Sequence, residues 1–194
     1  MVVPAPTAPC YAYLLGVYLG DGYITVVSPR RSVLRVSCDS AYPGVMAEIA
    51  GAIERVHPGR KVWRVSRPSR CIVLSCSAPD WASWFPQHGP GRKHHRTIAL
   101  DGWQRIITHR HAEPFVRGLV HTDGCRFLAH QVRRGRIYSY PRYSFSNRSE
   151  DIKRILCEHL EQLGIGWTRP NAQQIQIARR ADVGRLDAFV GPKA

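Results

Sequence analysis

The sequence predicts an α+β fold of two pseudo-symmetric halves, each running αββαββα, and three observations carry that prediction. A phrase occurs twice: residues 14–22 read LLGVYLGDG and residues 116–124 read VRGLVHTDG. The acids near their ends, Asp21 and Asp123, lie 102 positions apart (123 − 21) in a chain of 194. After each phrase comes the same succession of hydrophobic periods, helical and strand-like in turn. Finally, two of only four lysines fall at matched places, against twenty-four arginines. Lys93 follows its aspartate by 72 residues (93 − 21) and Lys193 follows its own by 70 (193 − 123).

The elements follow in order. Each phrase is a helix whose small residues recur at a spacing of four, Gly16 and Gly20 in one copy, Gly118 and Thr122 in the other. Such stripes let two backbones approach closely, so the two helices should pack together with their C-terminal ends converging. Gly22 and Gly124 then suit a left-handed exit from each helix. In the first half, β-branched residues at period two mark strands over Gly22–Ser28 and Val33–Asp39. A helix over Pro43–Val56 is followed by strands near Lys61–Ser66 and Arg70–Ser75, and by a short helix starting near Pro79. In the second half a strand follows Gly124, then YSYPRYSFSN forms another. Ser149–Leu163 is a helix with a Ser-Glu-Asp start and Gly164 as its stop. Strands near Ile165–Thr168 and in QQIQIA precede a last helix around Ala181–Val190. The halves are therefore 10–96 and 113–194, joined by a linker at 97–112.

Composition narrows the function. The formal net charge is +14 and is spread along the chain. A folded surface of that kind favours a polyanion, nucleic acid being the commonest. No apolar run approaches the roughly 20 residues of a membrane span, and MVVPAPTAPC lacks the basic start and apolar core of a signal peptide. A cytoplasmic, DNA-associated protein is the expectation. Six cysteines stand at 10, 38, 71, 76, 125 and 157 without a CxxC pair. Cys71 and Cys76 with His88, His94 and His95 could hold zinc, but the spacing fits no common zinc module. Buried free thiols are the simpler expectation.

The two acids carry the chemistry. Side by side at the negative ends of two helix dipoles, Asp21 and Asp123 would be doubly disfavoured as anions. A divalent cation removes both problems, and oxygen ligands with open positions suit Mg²⁺, for which Mn²⁺ could substitute. Such an ion could acidify a bound water and stabilise the leaving oxygen in phosphodiester hydrolysis. Lys93 and Lys193 could stabilise the pentacoordinate phosphate or orient the attacking water. The strands should present polar side chains to DNA on one exposed sheet face: Arg35, Arg64, Arg67 and Arg70 in the first half, Gln131, Arg133, Arg142, Gln174 and Gln176 in the second. Arginine reads guanine and glutamine reads adenine in the major groove, where a β-ribbon fits. A one-residue register shift would invert any of these faces. Elsewhere, His121 is expected as a helix-face polar residue near the interface, and the tryptophans as core. Arg133–Arg134 and Arg179–Arg180 could be solvated charge or phosphate contacts.

With those residues in view, the chain resembles the single-chain LAGLIDADG homing endonucleases, LLGVYLGDG and VRGLVHTDG matching the two motifs of that family. The resemblance runs from about residue 10 to the C-terminus. It implies a saddle of two antiparallel sheets lying in flanking major grooves. It also implies a monomeric, metal-dependent enzyme of intron or intein homing that cuts both strands of a long duplex site across the minor groove. Asp21 and Asp123 would bind the catalytic metals, with a backbone contact from Gly20 and Thr122, and Lys93 and Lys193 would be the basic residues of the centre. Leu19 and His121 replace the first acid of each motif, a position that varies in the family. Arg117 stands where the family has a small or apolar residue and should point outward. A closing helix beyond Lys193, found in longer relatives, is expected to be absent. Some relatives lost the acids and became DNA-binding regulators or splicing cofactors, so a non-cleaving DNA-binding protein and an RNA-binding cofactor are the alternatives. The presence of both acids favours cleavage.

Overall fold

The computed structural model describes residues 7–191 and 193. Its centre is a pair of helices, α1 (Ala8–Asp21) and α5 (Ala112–Asp123), formed by the two copies of the repeated phrase. Helix α1 is apolar on every side, and from Tyr11 to Leu19 all its residues are buried. A helix without a polar face belongs in the middle of a core. The glycines decide which neighbour it takes. A Cβ on Gly16 would overlap the carbonyl oxygen of Phe115, and one on Gly118 would overlap that of Tyr13. A Cβ on Gly20 would collide with the side chain of Thr122. The two stripes therefore face each other, and the helices touch backbone to backbone.

Four strands flank each central helix. Strands β1 (Gly22–Ser28), β2 (Arg31–Asp39), β3 (Val62–Arg67) and β4 (Cys71–Ala78) form one sheet in the order β1-β2-β4-β3. Strands β5 (Gly124–Arg133), β6 (Arg136–Ser146), β7 (Thr168–Asn171) and β8 (Gln174–Ile177) form the other, as β5-β6-β8-β7. All pairings are antiparallel, and the matching orders express the repeat. One face of each sheet closes on the helices, through Leu34, Val36, Leu74 and Cys76 in the first half and Tyr143, Phe145, Ile175 and Ile177 in the second. Helix α2 (Pro43–Val56) packs on α1, the short α3 (Trp81–Trp84) follows β4, and α6 (Glu150–Gln162) and α7 (Arg180–Val190) pack on α5. Ser149 caps α6 by accepting the Ile152 amide hydrogen, and Gly164 ends the segment at φ 65°.

Several expectations are corrected. Gly22 and Gly124 are extended, with φ of −87° and −98°, so no left-handed exit is made. They are glycine for space: a Cβ would come within 2.6 Å of Tyr18 Cα and 2.7 Å of the Val120 carbonyl oxygen. The segment 97–112 between the halves, for which no element was expected, holds a helix, α4 (Gly102–Arg110), opened by a capping box in which Asp101 and Gln104 bond reciprocally to each other's backbone amides. Arg117 does not point outward. It forks onto Glu48 with two 2.7 Å bonds and donates to the Phe189 carbonyl, tying α5 to α2 and α7. Of the six thiols, all free, only Cys76 and Cys157 are buried and Cys125 is exposed. Cys71 and Cys76 lie five apart in β4 and so project from opposite faces.

The glycine contacts give a sharp contrast. Gly118→Ala should lower unfolding free energy by about 3 kcal/mol through overpacking. In contrast, Gly51→Ala, in α2 with open space around it, should raise it by about 0.5–1 kcal/mol. Urea denaturation of both variants checks the pair.

Candidate functional site

Because the helices meet along their glycines, their last residues emerge together. Asp21 and Asp123 both line one cleft of about 490 Å³, and Asp123 Oδ2 lies 3.1 Å from the place a Gly20 Cβ would take. Asp21 has the more exposed surface of the two and Asp123 is half-buried, but both carboxyl groups sit within the walls of the cleft. Removal from bulk water raises both carboxyl groups above the usual range, and the neighbouring Asp21 charge helps push Asp123 to about 6. Lys93 and Lys193 oppose those shifts.

The lysines do so from matched positions. Lys93 Nζ donates to the carbonyl oxygens of Tyr18, of Gly20 at 3.0 Å and of Gly22 at 2.6 Å, covering the end of α1. Lys193 Nζ donates to those of Thr122 at 3.3 Å and Gly124 at 2.5 Å, covering the end of α5. Carbonyls there have no helical partner, and a cation suits the negative end of the dipole. Burial is the larger influence on both ammonium groups and lowers their affinity for protons, Lys93 to about 8. Gly20 and Thr122 thus contribute their backbone oxygens at the centre, already engaged by a lysine each.

The remaining candidates divide by register. On the first sheet, Tyr23, Arg35, Ser75 and Trp63 are successive cross-strand partners on the face away from the helices, and Arg67 shares that face by alternation. Arg64 pairs with the buried Leu74 and is thereby on the opposite, helix-side face, contrary to expectation. Arg70 sits in the β3–β4 turn at φ 59° and is held by the Asp39 carboxylate at 3.1 Å. On the second sheet Gln131, Arg133, Arg142, Gln174 and Gln176 all share the outer face, and Arg142 donates to Gln176 at 3.3 Å. Phe127, Tyr138 and Tyr140 join them there. His121 is buried between the Tyr13 hydroxyl and the Val190 carbonyl, each 3.0 Å away, so both ring nitrogens are engaged.

Sequence reasoning passed over Asn147. Its amide Nδ2 donates to Asp123 Oδ2 at 2.7 Å, and its Oδ1 accepts the Ser149 amide hydrogen at 2.7 Å. The signal was available: Asn147 falls two residues after the strand partner of Gly124, the place Cys38 holds relative to Gly22.

No family model matches the sequence, and no curated protein matches it. Solved structures do. The chain is similar to the homing endonuclease I-DmoI in complex with DNA and Mn, with a TM-score of 0.63 and 17% identity over 96% of this chain and 98% of that one. The LAGLIDADG meganuclease I-AabMI bound to uncleaved DNA gives 0.58 and 9%, over 92% and 82%. The N-terminal LAGLIDADG domain of DUF199/WhiA gives 0.58 and 12%, over 96% and 84%. The chain has the LAGLIDADG fold. The sequence-level resemblance to LAGLIDADG proteins and the αββαββα expectation are therefore confirmed at the level of architecture, and α1 and α5 are the two LAGLIDADG helices.

The donor set suits a hard divalent ion. It comprises two carboxylates and nearby backbone oxygens, and among the described residues no group of three or more His, Cys, Asp or Glu gathers to bind a softer metal. Two carboxylates alone leave most of a coordination sphere to water and phosphate, the usual habit of Mg²⁺.

Proton linkage gives a test without metal. Folding favours the protonated Asp123, so this carboxyl group contributes stability at low pH that is lost as pH rises through about 6. Asp123→Asn should therefore gain on wild type, by about 1–2 kcal/mol, between pH 5 and pH 8 in EDTA. Thermal melts at the two pH values read the difference, and a gap that does not widen counts against a strained carboxylate.

Proposed function

We propose that this protein is a single-chain, site-specific endonuclease that hydrolyses both strands of a long duplex DNA site with Mg²⁺ or Mn²⁺. The observation that carries this reading is the meeting of Asp21 and Asp123 at the tips of the LAGLIDADG helices. No helix among the described residues is long and apolar enough to cross a membrane.

The chain's own groups have distinct tasks. Asp21 and Asp123 would hold the metal, whose part is to polarise water and neutralise charge on the scissile phosphate. Asn147 fixes the orientation of Asp123 through Oδ2, leaving Oδ1 for a cation. Lys93 and Lys193 offset the negative helix ends, which makes two neighbouring anions tolerable. Lys93 lines the larger cleft and Lys193 a smaller hollow beside Asp21, and each ammonium group would meet phosphate oxygens entering its own space. Arg35, Arg67, Gln131, Arg133, Arg142, Gln174 and Gln176 face away from the helices and would contact DNA, the arginines gripping phosphate or guanine and the amides adenine. Tyr23, Phe127 and Tyr138 on the same faces offer apolar contacts to thymine methyl groups.

Selection of cut sequences from a random duplex library in Mg²⁺ identifies the target. Wild type should linearise it, while Asp21→Asn and Asp123→Asn should bind it and cut at least about 10³-fold more slowly. Binding without cutting in any metal would instead establish a DNA-binding protein that does not cleave. Preference for structured RNA over duplex would overturn the DNA reading altogether.

Affinity should also collapse with salt. Six or more phosphate contacts require a loss of about 10³-fold or more between 50 and 200 mM salt. Fluorescence anisotropy in EDTA measures this, and a flat response removes the electrostatic basis of binding.

A further inference from the structure

The two LAGLIDADG helices repeat their aspartates but not two positions ahead of them. Leu15 and Leu19 of α1 are fully buried, and the residues one repeat later in α5 are Arg117 and His121. Leucine suffices for packing in the first half. A half-buried guanidinium and a buried imidazole cost desolvation unless they are bonded, so their presence in the second half implies a task beyond packing. Both are aimed at one target, the last turn of α7.

Carbonyl oxygens at the end of a helix have no helical partner, and here side chains of α5 take two of them. Arg117 donates to the Phe189 carbonyl, and its Nη1 stands 3.5 Å from the place a Gly191 Cβ would occupy. His121 Nε2 donates to the Val190 carbonyl at 3.0 Å. A carbonyl can only accept, so the ring proton sits on Nε2. Burial disfavours a second proton even with Glu48 3.8 Å from Nδ1, and Nδ1 accepts from the Tyr13 hydroxyl at 3.0 Å. Glu48 holds Arg117 in turn through two 2.7 Å bonds. Beyond Val190 the chain leaves the helix at Gly191, φ 68°, and Lys193 stands three residues past Val190. Three residues span at most about 10 Å, so fixing Val190 fixes the root of the lysine. The lysine then returns to α5, donating to the carbonyls of Thr122 and Gly124. Lys93 is held otherwise, in a 3₁₀ turn (Lys93–His95) followed by Arg96, which donates to the Gln87 carbonyl.

From this closed circuit we propose that Arg117 and His121 are positioning residues for Lys193. They anchor the last turn of α7, so that its lysine reaches the tip of α5 in the hollow it shares with Asp21. Without the two donors that turn frays, and the ammonium group leaves the Thr122 and Gly124 carbonyls. The anchor is a property of the folded chain, whereas the use of Lys193 in catalysis rests on the nuclease reading above.

The test uses the full chain and needs neither metal nor DNA at first. With only four lysines, protein carrying isotopically labelled lysine gives four ε-methylene NMR signals, and Lys193→Met and Lys61→Arg assign the two that matter. In EDTA the wild-type Lys193 signal should stand apart from that of exposed Lys61. In Arg117→Leu and His121→Leu, which install what the first half carries, it should move most of the way to the Lys61 position while Lys93 and Lys153 hold theirs. Glu48→Gln loosens the fork on Arg117 without touching α5 or α7. It should shift the Lys193 signal in the same direction, and it replaces the leucine variants if these do not fold. Single-turnover cleavage of the selected duplex in Mg²⁺ should slow at least about tenfold in each leucine variant, and neither should slow it further once Lys193→Met is present.

A Lys193 signal that stays in place in the folded variants would overturn the proposal. So would all four signals moving together, which marks a general loosening of the core, or a loss of rate as large with Lys193→Met as without it. No cleavage of any duplex by wild type would remove the nuclease reading alone, since the lysine spectrum still decides whether the anchor holds.

Discussion

The close approach of α1 and α5 is the constraint on which the rest of the structure depends. With glycine at 16 and 118, each helix presents bare backbone to the other, and the carbonyls of Phe115 and Tyr13 occupy the space that side chains would need. That contact fixes the distance between the helix tips, and each sheet begins one residue after an aspartate. Two sheets of identical strand order are thereby set on either side of one pair of carboxylates. Alanine at either glycine would wedge the helices apart, and the separation of the acids would change with them.

The same contact creates an electrostatic cost that the chain meets locally. Two carboxyl groups and two negative helix ends share a small volume, and burial raises the proton affinity of both acids. Lys93 and Lys193 cover the exposed carbonyls at the two tips, which explains why these positions hold a slender, flexible amine in a chain otherwise rich in arginine. A guanidinium is broader and planar, less suited to three carbonyls converging at a helix end. Compensation is incomplete, and an incompletely neutralised pair of carboxylates is disposed to take up a cation. Around this symmetric core the supports differ: α5 carries Arg117 and His121 where α1 carries Leu15 and Leu19. Symmetry belongs to the backbone, and individuality to the side chains.

Much of this was legible in the chain because repetition supplies its own control. The duplicated phrase located both central helices, and the alternation QIQI placed Gln174 and Gln176 on one face without knowledge of the partner strand. What escaped was whatever depends on exact register or on a partner remote in sequence. The odd spacing of Arg64 and Arg67 within β3 puts them on opposite faces, and only the pairing of β3 with β4 assigns which face is which. Arg70 precedes a strand-like run but occupies a turn, where Asp39 from another strand captures it. The helix within the segment 97–112 is hard to see because it is short and largely polar, yet Asp101 and Gln104 carry the capping signal. Arg117 looked solvent-facing because its partners, Glu48 and Phe189, are 69 and 72 residues away. Asn147 could have been found by aligning the halves strand by strand, not only motif by motif.

Anomalous scattering from crystals of the protein grown with its target duplex and Mn²⁺ addresses the central claim most directly. Manganese density at the Asp21 and Asp123 carboxylates, next to the DNA, is the predicted result. Manganese bound elsewhere, or carboxylates drawn apart and turned from the DNA, would contradict it.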